Sequence, residues 1–256
     1  MKAHNGDAAE PVAAKTESTL VIFVGLTGVG KSTALAALRA AVPDALLLPN
    51  RRALADTLVI PEAQRLEGEA PRPVRDRLER FRLTARYRRE HPGGMAHALE
   101  RFLAGPRHDA PAAPLLLFDN LRGEDEVGYA VHAFPSARFV ALEAPAAVRV
   151  LRLAGRGDAF DRVDVGPAAH GALLARLQGI EGLARLTDLP GLAAAAAGLD
   201  PDAVETGARV VVEESLHYDP EAAWRRLEPL PERRRLQLDT GRLDPGGVAS
   251  RLQAWL

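Results

Sequence analysis

The sequence predicts an α/β protein: three layers, with a mostly parallel sheet of five or six strands, helices on both faces and a helical insertion. Two patterns lead there. Short apolar, β-branched runs alternate along the chain with longer stretches of helical period, and strand–helix–strand alternation specifies parallel pairing, because the chain must cross back over the sheet between strands. The first run, TLVIFV at 19–24, is apolar at both odd and even positions, as a strand covered on two faces requires. A 47% hydrophobic content over 256 residues supplies the core.

The elements follow in order. After the strand at 19–24, a helix is expected over 31–42, stopped by Pro43, and a short strand over 45–48. A stretch that looks inserted, 57–113, carries one helix over 74–90, with an apolar stripe of Val74, Leu78, Phe81 and Ala85, and another over 95–103. Further strands are read at 114–118, 138–142, 208–212 and 235–238, the third of these from its ARVVV run. Helices are read at 146–153, 168–186, 220–227 and 247–256, and 186–207 looks like a second insertion. Residues 1–18 are polar, lack the apolar run of a signal peptide, and are expected to be a disordered leader to a single domain over 19–256.

Composition narrows the classes. Net charge is −1, which gives no global attraction to nucleic acid or membrane, though a local groove stays open. There is no cysteine, so disulfides and thiolate metal sites are excluded, and a cytoplasmic setting is expected. No apolar stretch reaches membrane-spanning length, and the histidines show no metal-ligand spacing.

One stretch carries chemistry. The chain has three lysines against thirty arginines, and Lys31 is the only lysine beyond the leader. It lies in GLTGVGKST, where Gly25, Gly30, Lys31 and Ser32 fit G-x-x-x-x-G-K-[ST] between a strand and a helix. Glycines let the loop curl its N–H groups around a phosphate, and the helix N-terminus adds partial positive charge. Lys31 is the compact charge for the β- and γ-phosphates and Ser32 the hydroxyl for Mg²⁺. Gly25, Thr27, Gly28, Val29, Gly30, Lys31, Ser32 and Thr33 are therefore the candidate nucleotide-binding set, with ATP and Mg²⁺ the expected cofactors. No N-K-x-D guanine motif is present.

A second strand ends in acid. In PLLLFDNLRGEDEV, Asp119 closes an apolar run, at the sheet edge where carboxyl ends of parallel strands face a ligand crevice. Asp119 suits a Mg²⁺-water carboxylate, alternatively a cap for the next helix. Arg122 could grip a phosphate, and Glu126 reads as the partner of an arginine.

FDNLRGEDEV resembles the D-G-[IL]-R-x-x-x-E-V element of archaeal-type nucleotide kinases grouped with dephospho-CoA kinase, with Asn120 where that family usually has glycine. The stretch 137–163 looks like the strand, "AP", arginine-helix and lid portion of nucleoside monophosphate kinase relatives. The tail from Arg234 is similar to their last strand and helix, with D-T-x-x-x-x-P-x-x-V at 239–248. The resemblance covers about half the chain. It implies a P-loop NTPase fold, an ATP-dependent phosphotransferase, and lid arginines closing over the triphosphate. Of Arg149, Arg152 and Arg156, on one helix face, Arg152 and Arg156 are the candidates for that role beside Lys31 and Asp119. It also implies that 152–207 is a lid and helical region and 57–113 the acceptor-binding insertion.

That insertion carries nine arginines from Arg65 to Arg89, which as a group suggest an anionic acceptor. Arg51 and Arg52, after the second strand, are expected to face it with Arg122. A kinase for hydroxyls needs a base near this point. Asn50 cannot act as one, and Asp56 could if the chain turned back, whereas a phosphorylated, nucleotide-like acceptor needs none. The first reading is thus a Mg²⁺/ATP-dependent kinase of a small anionic acceptor. An ATPase switch driving a macromolecular partner and a nucleic-acid end kinase are the alternatives.

Overall fold

The computed structural model describes residues 19–105, 115–155 and 167–256. The first half contains β1 (Thr19–Val24), α1 (Lys31–Ala41), β2 (Leu46–Leu47), α2 (Arg51–Leu54), α3 (Ile60–Leu66), α4 (Arg77–Glu90), α5 (Gly94–Ala104), β3 (Leu115–Leu121) and α6 (Glu124–Ala133). The second contains β4 (Arg138–Glu143), α7 (Ala146–Ala154), α8 (Pro167–Gln178), α9 (Leu183–Leu186), α10 (Leu189–Ala195), α11 (Pro201–His217), α12 (Pro220–Arg225), β5 (Arg235–Asp239) and α13 (Pro245–Trp255). A π turn at 55–59 joins α2 to α3. Five helix starts are written as acid caps: Asp76, Asp188, Asp200, Asp219 and Asp244 each accept from a backbone N–H in the following turn, and Pro201, Pro220 and Pro245 follow the last three.

The sheet is five-stranded and all parallel, in the order β2-β3-β1-β4-β5. Side chains of β1 alternate between faces. Leu20, Ile22 and Val24 join a core with α2 to α6 and α12; Val21 and Phe23 join another with α1 and α13. Parallel pairing puts the carboxyl ends of all five strands, and the loops after them, on one edge. A third apolar core lies among α7 to α11, built around Val150, Leu177, Leu183, Leu192, Val204 and Val211.

Several expected elements change. The 208–212 run is not a strand but the middle of α11. Val204, Ala208, Val211 and Val212 are buried at helical spacing, and the Asp200 cap with Pro201 nucleates a helix whose packing overrides valine's strand preference. The helix expected over 168–186 is two, α8 and α9, separated near Gly179 and Gly182, the latter at φ 86°. Helix α4 starts at Arg77; Val74 is buried ahead of it, Leu83 and Tyr87 are fully buried among its described side chains, and the side chains of Leu78 and Phe81 lie outside the described ones. The sequence reading passed over α2, α3, α6 and α10. The expected leader, 1–18, lies outside the described residues.

At the chain end, the Arg138 guanidinium lies 3.9 Å from the Trp255 ring. It also donates to the carbonyls of Arg233, Trp255 and Leu256. That pins α13 beside β4. Among the described residues no helix is long and apolar enough to cross a membrane.

Candidate functional site

The glycine-rich loop leaves β1 at the common edge. Gly25 N–H donates to Leu121 O at 3.0 Å. Gly28 has φ 85°, and a Cβ there would stand 3.0 Å from the Arg149 carbonyl, so glycine is what lets α7 lie against the loop. Gly30 begins α1 with φ 89° and offers no side-chain cap, which leaves the first-turn N–H groups of α1 to an external acceptor. Lys31 Nζ donates to the carbonyls of Gly25 at 3.0 Å and Leu26 at 2.7 Å. Burial pulls its ammonium down to about 8, with Asp119 opposing and Arg122 reinforcing the shift. Ser32 and Thr33 are exposed at the start of α1, and the Val29 side chain belongs to the core.

Asp119 stands across from Phe23 in the β1–β3 ladder, and the register then skips Asn120 so that Val24 pairs with Leu121. The bulge puts Asn120 at φ 106°, a left-handed conformation that favours glycine. With its amide oriented to satisfy both neighbours, Asn120 donates to Gly25 O at 3.0 Å and accepts from Arg122 at 3.0 and 3.1 Å. Asp119 Oδ1 is buried and has no hydrogen-bond partner among the described residues. Burial raises the Asp119 carboxyl above its usual range, while Lys31 and Arg122 hold it back. Residues 124–133 do form a helix after it, but Gly123, not Asp119, is its cap.

Sequence reasoning missed the carboxylate at the centre. Glu214, on α11, is 6% exposed. Its Oε2 accepts from the Thr27 N–H at 2.9 Å and Arg149 at 2.6 Å; its Oε1 accepts from the Thr27 hydroxyl at 2.5 Å and Arg122 at 2.7 Å. Arg149 also donates to Thr27 O at 2.8 Å, and burial, opposed by Glu214, lowers its pKa. Arg152 donates to Gly28 O at 3.2 Å, Thr240 Oγ1 at 2.8 Å and Thr240 O at 2.6 Å. Thr240, buried after β5, donates to Val29 O at 2.9 Å or Glu143 O at 3.1 Å. Both described arginines of the 149/152/156 face thus hold the loop; Arg156 lies outside the described residues. An acid on the buried stripe of a helix was the available signal for Glu214, hidden by reading its neighbours as a strand.

Several cavities open at this edge: one is walled by the loop, another lies beside β3, and a third, of about 490 Å³, borders Thr27 and Glu214. The one toward β5 holds about 340 Å³, lined by Gly28, Gly30, Ser32, Thr33, Arg152 and Thr240 among others. The one toward β2 and β3 holds about 480 Å³, with Asp119 and five arginines, Arg51, Arg52, Arg80, Arg88 and Arg122, in its lining. Three of these have partners already. Arg51, expected to take the acceptor, instead grips Glu126 with two bonds of 2.7 Å. Burial alone would raise Glu126, but Arg51 and the Arg122 and Met95 N–H groups hold it low. Arg122 is held by Glu214. Arg80 pairs with Asp56 at 2.5 Å, so Asp56 is no free base. Arg52 and Arg88 are exposed and make no hydrogen bond or ion pair among the described residues. Asn50 caps α2 through Ala53 N–H.

For Mg²⁺, the donor set fits a hard cation carrying mostly water and phosphate oxygens: one exposed hydroxyl, Ser32, and one carboxylate with an unpartnered oxygen, Asp119. Among the described residues no group of three or more His, Cys, Asp or Glu side chains could hold a metal alone. No family model matches the chain, and no curated protein matches it.

Proposed function

We propose that the chain is a Mg²⁺/ATP-dependent kinase with a P-loop fold, passing the terminal phosphoryl group of ATP to a small, phosphorylated, nucleotide-like acceptor. The observation that carries the reading is the junction at the loop. The uncapped start of α1, with Ser32 and Thr33, lines one cavity, and Asp119, whose unpartnered oxygen lies near Lys31, lines another; the reading gives the first to ATP and the second to the acceptor. Lys31, Arg122, Arg149 and Arg152 bring four positive charges against the two carboxylates of Asp119 and Glu214, an excess that suits a polyanionic triphosphate.

In this mechanism the loop N–H groups and Lys31 cradle the β- and γ-phosphates. Arg152 and Thr240 wall the donor cavity. Ser32 and Asp119 would hold Mg²⁺, which neutralises phosphate charge when bound. In the cavity beside β3 Arg52 and Arg88 meet the acceptor's own phosphate, and Tyr87, Tyr218 and Met95 give it apolar wall. The acceptor oxygen forms its bond to the γ-phosphorus as the bridging oxygen leaves with ADP. Reliance on ATP agrees with a cytoplasmic setting.

The test is an acceptor screen: protein and Mg²⁺/ATP with nucleoside monophosphates, dephospho-CoA, small alcohols and 5′-hydroxyl oligonucleotides, followed by ADP release. A monophosphate should raise ADP release strongly over a slow background. A second reading, an ATPase switch, draws on the separate α7–α11 core, which meets the loop through Arg149, Arg152 and Glu214. A blank screen with hydrolysis stimulated by a protein or nucleic acid would favour it.

A further inference from the structure

We propose that Glu214 is a positioning residue for phosphoryl transfer: it seats Arg122 and Arg149 side by side against the Thr27 turn of the glycine-rich loop. The proposal rests on the kinase reading. A carboxylate has about four acceptor directions, and here all four are used, two by Thr27 and one by each guanidinium.

Three elements meet at this carboxylate. Arg122 follows β3, Arg149 comes from α7, and Thr27 belongs to the loop after β1. Two guanidiniums repel, and the charge of Arg122 adds to what lowers the pKa of Arg149. A shared buried carboxylate between them removes that repulsion and fixes both donors against one backbone N–H. The pair still carries one positive charge in excess. Fixed cations aimed at a phosphate site lower the barrier because they need no reorganisation as charge moves. If Glu214 served only to fasten α11 to the loop, its loss would lower stability and leave the turnover of folded protein unchanged.

The experiment compares wild type with Glu214→Gln, Glu214→Asp and Glu213→Gln, using Mg²⁺/ATP alone as the probe. It measures nucleotide affinity, single-turnover ADP formation and thermal melting. Glu214→Gln keeps the shape and loses the charge. It should hold affinity within about threefold while turnover falls about tenfold or more, the scale of a displaced electrostatic donor. Glu214→Asp, a carboxylate on a shorter arm, should fall between, and it carries the test if the glutamine protein does not fold. The exposed Glu213→Gln on the same helix should match wild type. Turnover of Glu214→Gln within about twofold of wild type, with or without tighter nucleotide binding, overturns the positioning role alone. A wild type that neither binds nor turns over Mg²⁺/ATP overturns the kinase reading and this role together.

Discussion

Lys31 shows how a site is paid for in stability. Its ammonium is buried, its hydrogen bonds go only to neutral carbonyls, and burial draws its pKa to about 8. Removing it should therefore leave the fold intact. Lys31→Ala is expected to abolish Mg²⁺/ATP turnover with an unchanged circular dichroism spectrum; normal turnover in that variant would end the kinase reading. Arg152→Ala should cut kcat more than nucleotide affinity, by about a hundredfold, or roughly 3 kcal/mol, if its contacts tighten as charge shifts. Asn120 makes the opposite test, of stability. At φ 106° it spans Gly25 O and Arg122. Asn120→Ala keeps the strained backbone and loses all three bonds, and should cost about 2 kcal/mol in denaturant titration; Asn120→Gly should cost less. At this scale the loop and Asp119 were legible because their spacing is local. Glu214, Thr240 and Arg88 were not, because their meaning comes from partners far away in sequence.

At the scale of elements, α4 and α5 meet through rings. His91 and His97 stack with centroids 4.3 Å apart, Tyr87 OH bonds His97 Nδ1 at 2.8 Å, and Tyr129 lies edge-on. Burial, then His91 and Arg101, lower the His97 pKa below its usual 6.5, while Glu100 and Glu62 oppose. The unfolded chain thus takes up this proton at higher pH than the folded one. The stability concerned is present above about 6.5 and is lost as pH falls through the lower folded value. The melting temperature should drop as pH falls below about 6.5, and His97→Gln should flatten the drop; an equal drop in both proteins would dismiss the pair as its source. Tyr87 and Met95 also line the cavity beside β3. Strands here were easy to read when central and apolar on both faces. The ARVVV run was misread because valine's local preference says strand, while the Asp200–Pro201 start and four-residue spacing of buried positions say helix.

At the scale of the molecule, the parallel sheet sets one edge, and the sequence patterns foretold that edge well. They did not foretell the third core, since nothing local distinguishes α7–α11 packing among themselves from packing on the sheet. Ligand should tie these bodies together. Saturating Mg²⁺/ATP at about a hundred times its Kd should add about 2.7 kcal/mol, visible as a higher melting temperature. The Ser32→Ala and Asp119→Asn proteins should lose most of the Mg²⁺-dependent part of that rise. A normal rise and normal kinetics with Asp119→Asn would remove the aspartate from the metal site.

The order in which the sheet is filled bears on the protein's birth. Strands β1, β3 and β4 all emerge from the ribosome before residue 144, and they pair with one another. Thr240, Leu243, Pro245 and Val248, which wall the smaller cavity, come only with the final stretch, as does the Trp255 on which Arg138 rests. Until that stretch has emerged, Arg152 has no Thr240 to hold. A nascent chain can form its sheet centre yet cannot form this cavity. Competence for any ligand held there begins only once α13 has been made and has packed beside β4.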